Sequence, residues 1–377
     1  MKQVYLDNAA TTPIHPEVIE KMTQVMQEVY GNPSSSHQFG RKAKTVVEEA
    51  RKYIARQMNV SAGEVIFTSG GSEADNLILY NAVTNLGVRR IITSRIEHHA
   101  VLHTIIALAQ RHQVAVDYVA LDSRGSIDYD HLEQLLAEDS GKTLVSLMHI
   151  NNELGNLLDL RQVTVLCVKY HAYFHSDTVQ TIGHYELDLQ QTPVDFITCS
   201  AHKFHGPKGV GFAIVKKGIP LKPILIGGEQ ERGHRAGTEN VHNIAGLHKA
   251  LEIAYGNLEA DRAYISDLKA YFIKGLSSIV PGIEFNGLSE DPAASSYIIL
   301  NVRFPKSLSM FLFNLDLKGV AASGGSACQS GSDKGSHVLN AILPDAEAKK
   351  TSVRFSFSKF LGKEDLDYAL DVIKSLS

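Results

Sequence analysis

Lys203 ends the run VDFITCSAHK, in which an apolar stretch delivers Ser200, His202, Lys203 and His205 together ahead of the glycines of GPKGVGF. A lysine drawn out of water at such a strand end has a lowered pKa and can form a Schiff base with an aldehyde, although a surface lysine explains the same pattern equally well. Asp177 ends a second apolar run, AYFHSD, with Gln180 three residues on. A carboxylate there can cap a helix or sit solvated in a loop, and it can also stay ionised against a protonated ring nitrogen. A third run, VIFTSGGSEADNL, reads as a buried strand, a glycine-rich turn and a helix start with Ser72 as its N-cap. Unpaired N–H groups at such an end suit a phosphate, though turn geometry alone also accounts for the glycines. No GK[ST] follows, so the turn is not a Walker loop. Cys328 stands apart in VAASGGSACQSGSDKGSHVL, a glycine- and serine-rich stretch expected to form a mobile loop, where a cysteine is a candidate nucleophile. Cys167 and Cys199 lie in apolar patterns and read as small core residues.

Taken together, Lys203, Asp177 and the upstream helix start are the parts that a pyridoxal phosphate site requires: a Schiff-base lysine, an acidic partner for the pyridinium nitrogen and a phosphate cradle. On this reading Asp177 keeps the ring nitrogen protonated, and Lys203 moves the proton at the substrate's Cα.

The elements that must position these residues alternate along the chain. Val18, Ile19, Met22, Val25, Met26 and Val29 recur at helical spacing behind Pro16, and Ala43, Val47, Ala50, Ile54 and Met58 mark a second amphipathic helix. Short strands are expected at VIFTS, RIITS, VAVDYVA, TLVSLMH, AYFHSD, VDFITCS and VGFAIV, most of them separated by helix-length segments. That alternation predicts an α/β fold with a largely parallel, helix-covered sheet. From about Asn257 a long helix with Leu268, Tyr271, Phe272 and Leu276, strands at YIILNV and SVRFSF and a terminal helix predict a smaller α+β domain. In SVRFSF, alternation sets Val353, Phe355 and Phe357 on one face and leaves Arg354 free to serve a site.

Composition narrows the field. The 377 residues, 44% of them hydrophobic, exceed what a single small module needs. The formal charge of −4 comes without basic runs or an acidic tail, which argues against nucleic acid or anionic lipid as partner. No apolar signal core or stretch of about 20 apolar residues occurs, so a soluble, cytoplasmic protein is expected. The three cysteines are unpaired in spacing, which speaks against a disulfide framework.

The chain resembles the cysteine desulfurases of the NifS and IscS type, class V members of the fold type I pyridoxal phosphate enzymes. The likeness runs through YLDNAATTP, GNPSSSH, FTSGGSEADN, EHHAV, MHINNELG, HSDTVQTIG, SAHKFHGPKGVG, RAGTENV, SGGSACQSG and VRFSFSKF. It implies an aspartate aminotransferase-like fold with a seven-stranded, mostly parallel sheet. The large domain spans 15–256, and the small one is made of 1–14 and 257–377 and carries the Cys328 loop at about 322–336. It further implies that Lys203 is the Schiff-base lysine, Asp177 pairs with the pyridine nitrogen, His98 stacks over the ring and acts in catalysis, and Gln180 meets the phenolic oxygen. Gly71, Ser72, Ser200 and His202 would hold the phosphate of pyridoxal 5'-phosphate, and Thr238 would reach the neighbouring subunit's site in a homodimer. Asn152, beside the cofactor, and Arg354 would orient L-cysteine, the arginine gripping its carboxylate. The implied reaction ends with the Cys328 thiolate taking the substrate sulfur as a persulfide and releasing alanine. The loop resembles the longer NifS and IscS form, and the RxGHxC pattern of the SufS group is absent.

Two departures from the family pattern stand out. Thr178 occupies the place of a usual alanine, a change expected to alter packing more than chemistry. The sequence ends at Ser377 without the extension that IscS-type members use to dock a scaffold, which leaves the sulfur acceptor open between an iron–sulfur scaffold and a tRNA thiolation protein. A selenocysteine lyase or a class V aminotransferase shares the Schiff-base machinery; the aminotransferase has no need of Cys328. A catalytically silent homologue is a further alternative, opposed by retention of Lys203, Asp177, Arg354 and Cys328. Among the 17 histidines, His99 and His103 lie four apart, yet no HExxH or acidic third ligand accompanies them, so no metal is expected.

Overall fold

The computed structural model describes residues 2–138, 141–324 and 335–377. A two-residue strand, β1 (Val4–Tyr5), precedes seven strands of one sheet: β2 (Val65–Thr68), β3 (Arg90–Thr93), β4 (Ala115–Tyr118), β5 (Thr143–Ser146), β6 (Tyr173–Asp177), β7 (Phe196–Ser200) and β8 (Gly211–Val215). Their order is β2-β8-β7-β6-β5-β3-β4. All pairings are parallel except the two made by β8, which runs antiparallel to β2 and β7.

Each of these strands reads as a nearly continuous apolar run because both faces of the sheet are covered. Alternate residues go to opposite sides: Phe67, Ile92, Val145, Ile197 and Phe212 join one core, whereas Ile66, Ile91, Leu144, Phe196 and Ala213 join the other. Helices α1 (Pro16–Glu28) and α2 (Gln38–Gln57) contribute to the first core. Helices α3 (Gly71–Thr84) and α4 (His99–His112) contribute to the second. Helices α5 (Tyr129–Ala137), α6 (Leu160–Lys169) and α7 (Val241–Gly256) complete the first side. The apolar face expected of α1 is narrower than its periodicity implied. Val18 and Val25 are buried, but Ile19 and Met26 are about half exposed, because one residue's step turns a side chain by about 100° off the core.

A third core is built on α8 (Leu258–Ile279), the antiparallel strands β9 (Glu284–Phe285), β10 (Ile299–Arg303) and β12 (Ser352–Ser356), and the terminal helix. Between them lie α9 (Phe311–Leu317), β11 (Val320–Ala321), α10 (His337–Ile342) and α11 (Asp345–Ala348), and α12 (Lys363–Leu376) closes the chain. The Phe272 ring packs edge-on against Phe355 and Phe357, with centroids 5.1 and 5.7 Å away. The same alternation turns Arg354 away from that aromatic face. The N-terminal segment belongs to this core: Val4, Leu6 and Ala9 are buried in it, and β1 pairs in parallel with β11. No helix of the described residues is long and apolar enough to cross a membrane.

Candidate active site

In a sheet whose parallel strands share a direction, the loops at their carboxyl ends converge on one edge. Here β2 leads into Gly70–Ser72, β6 ends at Asp177, and β7 ends at Ser200 just ahead of His202 and Lys203. Loops after β3 and β5 bring His98 and Asn152 to the same place, and β12 supplies Arg354 from the smaller core. Together they line a cavity of about 450 Å³, with Lys203, Asp177, Gln180, His98, Gly71, Ser72, Ser200, His202, Asn152 and Arg354 all in its wall.

The glycine turn is set by close packing. Gly70 has φ 152°, a backbone region that favours glycine, and a Cβ on Gly211 of the adjoining strand would come within 2.8 Å of the Gly70 Cα. The N-cap of α3 is therefore Gly70 and not Ser72, which sits inside the first turn. With the cap two residues earlier, the first turn of α3 and Ser200 line one end of the cavity, where an anion is favoured.

Lys203 Nζ donates to the carbonyls of Ala9 and Ala10 at 2.6 and 2.9 Å, and Gln180 Nε2 donates to Ala9 at 3.0 Å. The N-terminal segment thus forms a wall of the site. Thr12 locks it there, its N–H and hydroxyl both donating to the His202 carbonyl. His202 Nδ1 lies 3.1 Å from the Thr11 hydroxyl, and burial, with the charges of Lys203 and Lys208, pushes its pKa down to about 4.

Asp177 accepts from the Val179 N–H at 2.9 Å. Burial, reinforced by Asp75, pushes its carboxyl up to about 6, while His98 opposes the rise. Asp75 itself is raised to about 7 by burial, and burial lowers neighbouring His175 to about 4. The buried Asp177 carboxylate against the cavity calls for a cation, which a protonated ring nitrogen would provide. His98 caps α4 by accepting from the Ala100 N–H at 3.2 Å, and burial lowers its pKa, so its imidazole is neutral at pH 7.

At the other end Arg354 is 1% exposed. Its Nη1 donates to the Asn152 carbonyl at 2.8 Å and its Nη2 to Asp7 Oδ1 at 2.9 Å. Arg354 Nε and Asn152 Oδ1 are buried and have no hydrogen-bond partner among the described residues. An unsatisfied donor and acceptor beside the cavity suit a ligand bearing a carboxylate and an amine. An anion site at one end, a cation-seeking carboxylate in the middle, a lysine at hydrogen-bonding reach and an arginine at the far end fit pyridoxal 5'-phosphate with an amino acid substrate.

The sequence pattern of the family described as "Aminotransferase class-V" matches residues 4–369. The chain belongs to the aminotransferase class-V family. Within that family, the class-V chain is 40% identical to a protein named cysteine desulfurase IscS from Dictyoglomus turgidum, over all of this chain and 94% of that one. It superposes on a solved NifS-like protein with a TM-score of 0.91 and 36% identity, covering 99% of each chain. A structure described as SspA in complex with cysteine matches with a TM-score of 0.82 and 29% identity, over 95% of this chain and all of that one.

Other predicted positions of the class-V chain fall outside the cavity. Thr238 is exposed and does not line it. Cys328 lies outside the described residues. Cys167 and Cys199 are buried, and burial pushes both thiols up, as core cysteines require. Thr178 donates its hydroxyl to the Thr198 carbonyl at 2.7 Å, tying β6 to β7. The His99 and His103 rings stack at 4.6 Å, and no group of three metal-ligating side chains is found among the described residues. Asp7, Ala9, Ala10, Glu73, Asp75 and Lys208 line or brace the site without having been singled out. Asp75 alone carried a local signal, a charged residue at a position where the periodicity of α3 demands an apolar one.

Proposed function

We propose that this chain is a pyridoxal 5'-phosphate-dependent cysteine desulfurase that converts L-cysteine to L-alanine and receives the sulfur as a persulfide on Cys328. The observation that carries this reading is the single cavity joining Lys203, Asp177 and the Gly70–Ser72 turn to Arg354 and Asn152. The named relatives support the choice of cysteine over other amino acids.

When bound, pyridoxal phosphate acts as an electron sink that stabilises negative charge at the substrate's Cα. Lys203 would hold its aldehyde carbon and, once displaced by substrate, take the Cα proton. Its ammonium rests on the Ala9 and Ala10 carbonyls, so release from those acceptors prepares it as a base. Asp177 would stay ionised against the ring nitrogen, since a cation beside it opposes the rise that burial imposes. Gly71, Ser72, Ser200 and His202 would hold the phosphate, Gln180 the phenolic oxygen, and neutral His98 would lie on the ring. Arg354 and Asn152 would fix the carboxylate and orient the Cα–H bond. Cys328 would take the substrate sulfur.

Further parts of the reading are a homodimer in which Thr238 completes the partner's site, a cytoplasmic location, and a sulfur-acceptor protein of an iron–sulfur or tRNA thiolation pathway. The division into a large domain of 15–256 and a small one of 1–14 and 257–377 is supported by the separate cores on either side of Asn257.

The test is turnover of cysteine with alanine and sulfide both measured. Equimolar products are expected from the native protein under reducing conditions, and Cys328→Ser should release no sulfide. Formation of a keto acid in place of alanine would reassign the chain to transamination, and unchanged sulfide release by the serine variant would reject the persulfide.

A further inference from the structure

β7 passes into a single 3₁₀ turn, Ala201–Lys203, that stops short of a helix because His205 adopts φ 65°. The backbone donors that a longer helix would supply to this turn are spent elsewhere. The His205 N–H donates to the Thr12 hydroxyl at 2.8 Å, and the Gly206 N–H donates to the Ala201 carbonyl at 3.0 Å. The carbonyls of His202 and Lys203 therefore draw on donors from outside the turn. Thr12 serves His202. The Lys203 carbonyl accepts from His184 Nε2 at 3.0 Å, and since a carbonyl can only accept, Nε2 carries the proton of this imidazole.

The path that brings His184 there starts at Asp177. The Thr178 carbonyl accepts from the Thr181 and Ile182 N–H groups, and the Thr181 carbonyl accepts from those of His184 and Tyr185. These two successive turns carry Asp177, Gln180 and His184 on one short segment. Gly183 adopts φ 82°, and a Cβ there would lie 2.6 Å from the Phe204 Cβ, so the segment presses on the residue next to Lys203. From the smaller core, the Tyr297 hydroxyl donates to the His184 carbonyl at 3.1 Å. Asp177 and Gln180 line the cavity, whereas His184 holds the backbone of Lys203 from outside the wall that the described residues form.

We propose that His184 is a positioning residue for Lys203, its Nε2–H fixing the Lys203 carbonyl so that Nζ swings from one pivot between the cofactor's aldehyde carbon and the substrate's Cα. This role rests on the pyridoxal phosphate reading. Lys203 Nζ starts on the Ala9 and Ala10 carbonyls and has to leave them in each of those steps. A side chain that changes partners returns to the same place only when its own backbone is held. In the first step the Lys203 nitrogen forms a C=N bond as the aldehyde's C=O bond breaks and its oxygen leaves as water, so no oxidant or reductant is needed.

The experiment compares two variants of similar size, His184→Met, which has no donor, and His184→Gln, whose amide replaces Nε2–H. Cofactor-stripped full-length protein is mixed with pyridoxal 5'-phosphate, reduced with borohydride at timed intervals and digested, and mass spectrometry follows the label on Lys203. His184→Met is expected to slow capture about tenfold, the effect of leaving one carbonyl without its donor, and His184→Gln to restore it to within about twofold. Binding of 4-deoxypyridoxine 5'-phosphate, which has no aldehyde and needs no lysine, should stay within about twofold in both. In the holoenzyme, His184→Met should lower kcat for deuterium exchange at the Cα of cysteine about tenfold while KM changes less than about threefold. Native capture rates in His184→Met, an equal loss of 4-deoxypyridoxine 5'-phosphate binding, or a glutamine variant that behaves as methionine would overturn the proposal. A native protein that captures the cofactor on Lys203 yet makes no alanine from cysteine fails the desulfurase reading alone, and the capture rates still decide the role of His184.

Discussion

His175 Nε2 lies 3.4 Å from Asp75 Oδ1, both side chains being buried to within 1% of complete, beside the carboxylate of Asp177. The other ring nitrogen, Nδ1, is 2.9 Å from the Ser146 hydroxyl. A neutral imidazole cannot compensate a second buried carboxylate, so Asp75 holds its proton up to about pH 7.

That charge state makes stability depend on pH with a definite sign. Asp75 ionises near 3.8 when unfolded and near 7 when folded, so the folded state binds the extra proton and its stability falls as pH rises through that window. A shift of this size corresponds to a ceiling of about 4 kcal/mol. Asp75→Asn keeps the shape and removes the titration. In protein stripped of cofactor, its melting temperature relative to the parent is expected to climb between pH 5 and pH 8, and a constant difference would show that Asp75 does not titrate there. The buried histidines act oppositely: His149, His184 and His205, each lowered to about 4, make stability fall as pH drops below about 6.5.

Lys203→Ala removes the only amine among the cavity-lining residues that rests on the Ala9 and Ala10 carbonyls. Turnover should fall by about 10³-fold or more, and the visible absorbance of the cofactor-loaded protein should be lost. Lys208 also lines the cavity, and rescue by it would appear as residual absorbance in the alanine variant that a second change, Lys208→Ala, abolishes.

The arginine at the opposite end gives a different kinetic signature. With Nη1 and Nη2 committed to Asn152 and Asp7, the fork presents its remaining donors to the substrate carboxylate in one orientation. Arg354→Lys replaces the fork by a point charge and should raise KM for cysteine by about 10- to 100-fold, with a smaller effect on kcat. Asp7→Asn keeps an acceptor but loses the paired charge and should also raise KM. Substrate titrations under steady-state conditions measure both.

The parts of this site that were legible in sequence are those delivered by a local pattern. Asp177 and Lys203 end apolar strands, and Arg354 alternates against Val353 and Phe355, so strand periodicity alone places them at an edge or on a face. What escaped was closure over distance. Asp7 meets Arg354 across 347 residues, and Lys203 meets Ala9 across 194. Backbone carbonyls such as those of Ala9 and Ala10 have no side-chain signature at all. The cap at Gly70 was misplaced to Ser72 because residue preference favours serine there, whereas the close approach of Gly211 decides the geometry.

Arg51 and Glu231 form a bidentate pair at 2.7 and 2.8 Å, with Arg51 only 3% exposed and its guanidinium 4.7 Å over the Phe67 ring. Arg51 also donates to the Val65 carbonyl, and Glu231 accepts from the Phe67 N–H, so the pair staples β2 to the loop that leads on to Thr238. The loop needs a staple, because Glu231 and Arg232 both adopt positive φ, at 46° and 57°. Arg51→Met leaves the Glu231 carboxylate buried without its partner, and a loss of about 3–5 kcal/mol in urea unfolding is expected. Adding Glu231→Gln should recover part of that loss, since the orphaned charge goes with it. If Thr238 completes the neighbouring subunit's site, the single variant should also bind pyridoxal phosphate more weakly, whereas an unchanged affinity beside the lost stability would confine the staple to folding.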